Sequence, residues 1–568
     1  MAGTPTIGEL SEAGRSGQLL DLTGGDPEHR EPVDPALLTE VLAGSPRALR
    51  LRGARFTANL DLGATRIGCP LSLESCVFDG ITLDDAETKS ISLRGSHMFG
   101  LSAQNLRAGG SLDLGAVTAT MGVSLTNAHI QGNLLANDAR LDDGGHIGLL
   151  AHGLVVDRDL IGEGLVTGGP VYLSSARIGG TVRLDGARLD GAGRPAISAE
   201  ELSVDGSLFC AKVTATGEVS LLGARIGGDL SFDGANLSNP GGPALHADGI
   251  TVGAGFSLRN GFSATGAVRL ISASVGRRIV FADATLTNPE SFALIADGLS
   301  VGHDLEFRPD FATDGEIRLF DARIGRQLRF SGTSAVPEGR AAFTLTSLHA
   351  DSFFLTPREP FHGRVELTRA QIREIYDDER SWPPDVALLG LEYQVLQNHF
   401  VRVRDRLSWL VRGSLDGYNP SGYDQLAAAY RRTGQVEAAR RVGMAKQRHR
   451  RQVLNPFGRL WNWLLYLTVG YGYRTWLAGL WLVALVALGT TLFGGAYRAE
   501  LQPSAPSGPA FQPFAYTLDV LVPIVDLGQK KAWFAQGPAQ VWSWTFTGAG
   551  WVLTTAVVAG VTNALKRD

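Results

Sequence analysis

The chain has 568 residues, enough for more than one domain. Its formal net charge of −5 excludes a global basic attraction to nucleic acid. Three cysteines (Cys69, Cys76, Cys210) form neither a C-x-x-C pair nor an even set, which excludes a disulfide framework and suits buried thiols in a reducing compartment.

Residues 1–32 are polar and Gly-rich and read as a mobile lead-in. No basic start followed by an apolar run occurs in Met1–Leu20, so no signal peptide is expected. Asp34-Pro35 then opens a short helix over 36–42, with Asp as N-cap and Pro in the first turn. Stacked strands leave an open first edge, and this helix, within a lead-in of 1–45, is its natural cap.

Beyond it the sequence repeats. Leu51, Leu62, Leu73, Leu83 and Leu93 recur every ten or eleven residues. Later, Ala176-Arg177-Ile178-Gly179-Gly180 returns as Ala224-Arg225-Ile226-Gly227-Gly228. It returns again as Ala273-Ser274-Val275-Gly276-Arg277 and as Ala322-Arg323-Ile324-Gly325-Arg326. A fixed period of 48 or 49 residues means a stacked array. Within each unit apolar residues step by about five: Leu221, Ile226, Phe232, Leu237, then Leu270, Val275, Phe281, Leu286. Five is too long for a helix turn and fits one short face of a square coil, two coils to each unit. Asp-Gly pairs at 185–186, 233–234, 248–249 and 297–298 supply the corners, because glycine tolerates the left-handed backbone a corner needs. Gly totals 71 residues, too many for a long helix bundle.

On these residues 46–375 resemble a quadrilateral, right-handed β-helix of pentapeptide-repeat type, with the A-[D/N]-L-x-x consensus loosely kept. Six lysines against 46 arginines, with abundant Ala and Gly, is the composition of high-GC, actinobacterial coding. On the coil surface Arg177, Arg225 and Arg323, with Arg66 as an earlier member, should form one ladder, and Glu200, Asp248 and Asp297 another. Such ladders either pair with neighbouring rungs or bind an extended partner, and rung pairing is the commoner use.

Trp382-Pro383-Pro384 reads as a boundary, and Leu388, Leu391, Tyr393, Val395 and Phe400 as a following helix. A helical hairpin over Tyr423–Arg432 and 435–452 comes next, similar to one tetratricopeptide unit, so that 385–455 forms a basic neck. From Arg402 to Arg459 there are 13 Lys/Arg and four Asp/Glu. Arg448, Arg450, Arg451 and Arg459 are its candidate contacts with anionic lipid headgroups.

Residues 456–568 read as a membrane domain with spans at about 475–495 and 541–562, each long enough to cross the hydrocarbon. Basic residues before the first span and Lys566 and Arg567 after the second place both termini in the cytoplasm of a multi-pass inner-membrane protein. Between the spans Phe514–Gln529 is too short to cross and too apolar for an ordinary loop. Tyr516, Asp519, Asp526 and Gln529 are its candidate site. This C-terminal region resembles that of bacterial membrane proteins with pentapeptide-like repeats, some of which bear the label "membrane-associated oxidoreductase".

The residues supply no redox chemistry to match that label. No G-x-G-x-x-G lies between a strand and a helix, and there is no C-x-x-C-H or cysteine cluster, so no cofactor is expected. The 11 histidines show no metal-ligand spacing and no catalytic residue stands out. Thr468-Val469-Gly470-Tyr471-Gly472 matches the letters of a potassium-channel filter, but no outer span precedes it and Arg474 follows it. An interfacial aromatic segment is the better reading. Charges over 46–375 are too balanced for DNA mimicry, so nucleic acid is not an expected partner. The expectation is a membrane-anchored cytoplasmic scaffold or binding module, with lipid, a protein on the β-helix surface and its own copies as partners. An oligomeric pore is the alternative, and an oxidoreductase rests on the label alone.

Overall fold

A computed structural model of the chain describes residues 5–23, 32–141, 147–360, 362–378, 381–397, 402–413, 417–469 and 476–565. It divides into two compact units, Met1–Leu415 and Asp416–Asp568.

The first unit is a β-solenoid of about 16 turns. One coil shows its construction. Leu71–Glu74, Val77–Phe78, Ile81–Thr82 and Glu87–Thr88 are four short strands, and Ile91–Ser92 begins the next coil in parallel pairing with Leu71–Ser72. Leu71, Leu73, Cys76, Phe78, Ile81, Leu83, Ala86 and Thr88 are all buried, at alternating steps of two and three. A two-residue step crosses one strand and points both ends inward; a three-residue step turns a corner. Every second corner is left-handed: Ser75, Asp85, Gly95 and Asn105 have φ of 50°, 58°, 68° and 54°. The expected corner glycines Gly186, Gly234, Gly249 and Gly298 sit at 71°, 71°, 66° and 64°.

The 48-residue period follows from two kinds of coil. Leu160, Val182, Leu208, Leu230 and Phe256 stand one above another, spaced 22, 26, 22 and 26 residues along the chain. Alternate coils carry a four-residue excursion at one corner. Asn239 closes one by donating from Nδ2 to the Pro243 carbonyl at 2.7 Å, and Asn288 closes the next identically on Phe292 at 2.7 Å. Inside, Leu221, Phe232, Phe281 and Phe330 are buried as the spacing predicts. Phe281 stacks on Phe307 at 4.9 Å between ring centroids. Burial, reinforced by Asp185, holds the Cys210 thiol well above its ordinary range, as an inert core group.

The solenoid is longer than its sequence expectation at both ends. Leu19–Asp21 pairs with Arg50–Arg52, and α1 (Ile7–Ser16) precedes it, with Thr6 and Glu9 forming a capping box. The described part of 1–32 is therefore structured rather than a loose lead-in, and α2 (Pro35–Ala43) carries the expected Asp34 N-cap. At the far end the helix expected around Leu388 does not form. Val386–Ala387 and Glu392–Leu396 are strands of a last coil, with Leu388, Leu391 and Tyr393 buried at the same two- and three-residue steps. A short run of Leu, Tyr and Val is compatible with either period, and the neighbouring coil decides. Phe400 lies outside the described residues. Trp382 is buried against Trp409 inside the stack, so the Trp-Pro-Pro run is a coil corner. Helix α3 (Val403–Arg412) follows the last coil.

In the second unit α4 (Pro420–Arg432) and α5 (Val436–Val453) form the expected hairpin. After them come α6 (Pro456–Val469), α7 (Trp476–Glu500), α8 (Pro513–Leu521), α9 (Gln529–Ala532) and α10 (Pro538–Leu565). Among the described residues one helix, α7, with 25 residues, is long and apolar enough to cross a membrane. The expected second span falls within α10, whose side chains beyond Thr555 are largely outside the described residues. Among the described residues there is therefore one candidate span, and the multi-pass arrangement expected from the sequence is not supported. Gly470 to Gly472 of the filter-like letters, with Arg474, Lys566 and Arg567, also lie outside the described residues.

Candidate functional site

The surface ladders are real columns. Arg177 pairs in register with Ser203, and Ser203 with Arg225, so the two arginines stand two coils apart, about 10 Å. Arg323 belongs to the same column through Ser274 and Ser300. Arg66 joins it by bridging to Glu87, with a salt bridge of 3.3 Å.

The acidic ladder is largely spent on its neighbours. Asp248 accepts the Ile271 N–H at 2.9 Å and pairs with Arg269 at 2.6 Å and His246 at 3.1 Å. Asp297 pairs with Arg318. Burial works to raise the Glu200 carboxyl, but hydrogen bonds from Ser174 and Ser198 outweigh it and hold the group below its usual range. Each acid thus ties one coil to an adjacent one. Leu222, Ile271 and Phe320 occupy the intervening rungs of the same corner. A shallow groove of about 470 Å³ runs along it past Glu200, Leu222 and Asp248. Another, of about 530 Å³, lies beside the exposed Phe99 and Met121. Among the described residues no group of three or more His, Cys, Asp or Glu side chains could hold a metal ion.

The four neck arginines do different work. Arg448 and Arg451 stand over one ring, Tyr466 of α6, at 5.4 and 4.9 Å, and Arg451 donates to Asn462 at 2.8 Å. Arg459 donates to the Leu454 and Gln452 carbonyls at 2.9 and 3.2 Å, closing the end of α5. Arg450 is exposed. Nearby, Phe457 and Trp463 of α6 are 80% and 50% exposed.

The four residues of the candidate loop site brace the connection between α7 and α10. Tyr516 is buried beside Phe493 and Phe511, at 5.0 and 5.4 Å. Asp519, also buried, accepts the Leu527 and Lys530 N–H groups at 2.8 Å each. Gln529 accepts from Gln512 N–H at 3.2 Å and donates to the Ala510 carbonyl at 3.3 Å. Asp526 is exposed and pairs with Lys531. Sequence reasoning missed the two glycines that seat α8. A Cβ on Gly550 would lie 1.6 Å from the Leu521 carbonyl oxygen, and one on Gly489 would lie 2.4 Å from Thr517 Cγ2. Comparison with protein families, curated proteins and solved structures yields no match.

Proposed function

We propose that this chain is a scaffold held at the inner membrane, whose solenoid binds a partner and carries out no chemistry itself. The observation behind this reading is the combination of a long, self-satisfied stack of coils and an apolar 25-residue helix in one chain. A solenoid offers an extended rigid surface in which each coil contacts only its neighbours. In this proposal α7 and α10 both span, and the termini and solenoid are cytoplasmic. Anionic headgroups meet Arg448, Arg450, Arg451 and Arg459, supported by the exposed Phe457 and Trp463 next to them. Right-handed winding and kinship with pentapeptide-repeat proteins and "membrane-associated oxidoreductases" belong to the same reading, without the chemistry of that label. The pore alternative needs Asp519 to face a water path. Its two backbone hydrogen bonds favour a bracing role instead.

A reporter fused after Asp568, combined with carbonate extraction of membranes, tests this. Cytoplasmic reporter activity and retention in the washed membrane are expected. Release by carbonate, or a reporter active only outside the cell, would overturn the reading. Stepwise conductance in planar bilayers, altered by Asp519→Asn, would replace it with the pore.

A further inference from the structure

Where the repeat's Gly-Gly pair gives way to Gly-Arg and Gly-His, three successive coils carry a basic side chain, Arg277, His303 and Arg326, at the same corner. The Arg277 N–H donates to the Ala254 carbonyl at 3.0 Å, that of His303 to Arg277 at 2.7 Å, and that of Arg326 to His303 at 2.8 Å. The three side chains therefore leave the corner in line, a rung of about 4.8 Å apart. Beside them Gly276, Gly302 and Gly325 form a second line. A Cβ on either Gly302 or Gly325 would stand 2.1 Å from the carbonyl oxygen of the glycine one coil before it, which is why no side chain occupies that flank. Arg278 and Arg323 are exposed alongside. Among the described residues none of these four arginines closes an ion pair. Carboxylates bound the strip. Asp351, one coil on, is engaged by Arg373 at 2.8 Å, and Glu306 by Arg308 at 3.0 Å.

We propose that this strip docks a short acidic segment of a partner protein in extended conformation. The proposal rests on the scaffold reading above and names the chemistry of its partner. Extended chain places alternate side chains about 6.6 Å apart on one face, within reach of the long side chains of Arg277 and Arg326, which stand two rungs apart with His303 between them. Three rungs span only about 10 Å, which matches two or three carboxylates of a short segment and is too short to track a continuous polyanion such as nucleic acid.

The test uses the full chain purified in detergent and a fluorescein-labelled oligoglutamate, with oligoglutamine as the neutral probe. Salt-sensitive binding of oligoglutamate alone is expected. It should weaken about tenfold or more in the R277Q/H303Q/R326Q variant and be unchanged by R188Q, on another face. Absence of oligoglutamate binding at low salt, or equal binding by the triple variant, overturns the proposal. Tighter binding of inorganic polyphosphate or an oligonucleotide through the same three residues also overturns it, in favour of a phosphate partner. Membrane retention of the same variants is scored separately. Its loss in the parent chain sinks the scaffold reading and leaves the peptide result standing.

Discussion

Arg406 of α3 and Asp377 of the last full coil form a bidentate ion pair buried from solvent. Trp382 Nε1 donates to the same carboxylate, and Arg406 lies over Trp409 at 5.6 Å. The pair fastens α3 across the end of the stack. Removing one partner should cost about 3–5 kcal/mol, because it strands a buried charge, whereas replacing both by apolar residues should cost far less. Hydrogen exchange over Val386–Leu396 should therefore quicken in Asp377→Ala and recover in an Asp377→Leu/Arg406→Met double variant. No recovery would show that the pair does more than close the end.

Phe281 is wholly buried and touches the rings of Phe307 and Phe311, at 4.9 and 5.6 Å. Phe281→Ala should destabilise by about 3–5 kcal/mol, the range for large-to-small changes in packed interiors. Chemical denaturation followed by strand-sensitive circular dichroism checks it; a change within error of zero would contradict the burial.

Burial raises the Glu316 carboxyl above its ordinary 4.5, against hydrogen bonding from Thr344 and the fields of Arg318 and Arg340. A raised folded-state value means the ionised group opposes folding. The stability associated with the neutral acid is fully present below the unfolded value and is lost as pH rises through the folded one. Glu316→Gln should thus raise Tm at neutral pH, with the advantage shrinking as pH falls towards 4.5. A constant difference across that window would contradict the shift.

At Gly550 there is no room for any side chain. Gly550→Leu should drive α8 from its seat and expose Tyr516 and Thr517, both buried in the parent chain. A cysteine placed at Thr517 should become reactive to maleimide in that background only. Equal labelling in both backgrounds would show that α8 does not depend on the glycine.

Much of the solenoid was legible because its inward residues follow a step that neither helix nor plain strand produces. The alternation between short and long coils appears in the sequence as a period of 48 or 49 residues, two coils, rather than one. Its cause, the Asn-closed excursions at Asn239 and Asn288, needed coordinates, since a side chain bonding a carbonyl four residues on leaves only an Asn-Pro pair as its mark. Leu388 to Leu396 were misread because short apolar runs acquire their period from the coil they join. The buried Asp377–Arg406 pair spans 29 residues without a motif, so nothing local announces it. At the loop, Asp519 and Gln529 stood out by residue type, but the backbone groups they hold depend on how 522–528 folds back.

The two-coil unit also constrains how such a chain can change its length. Excising 48 residues, from one long coil to the equivalent place in the next, rejoins Asn-closed excursions and corner acids in phase, so each carboxylate still finds the N–H or guanidinium one coil away. Excising a single coil leaves the core continuous but sets an apolar rung where an acid is due; loss of a 22-residue coil puts two excursions side by side, and loss of a 26-residue coil puts two plain corners together. Length variants within these alternating coils should therefore be viable in pairs and impaired in odd numbers, a counting rule imposed by the surface rather than by the interior, whereas the early coils of 20 and 21 residues are free of it.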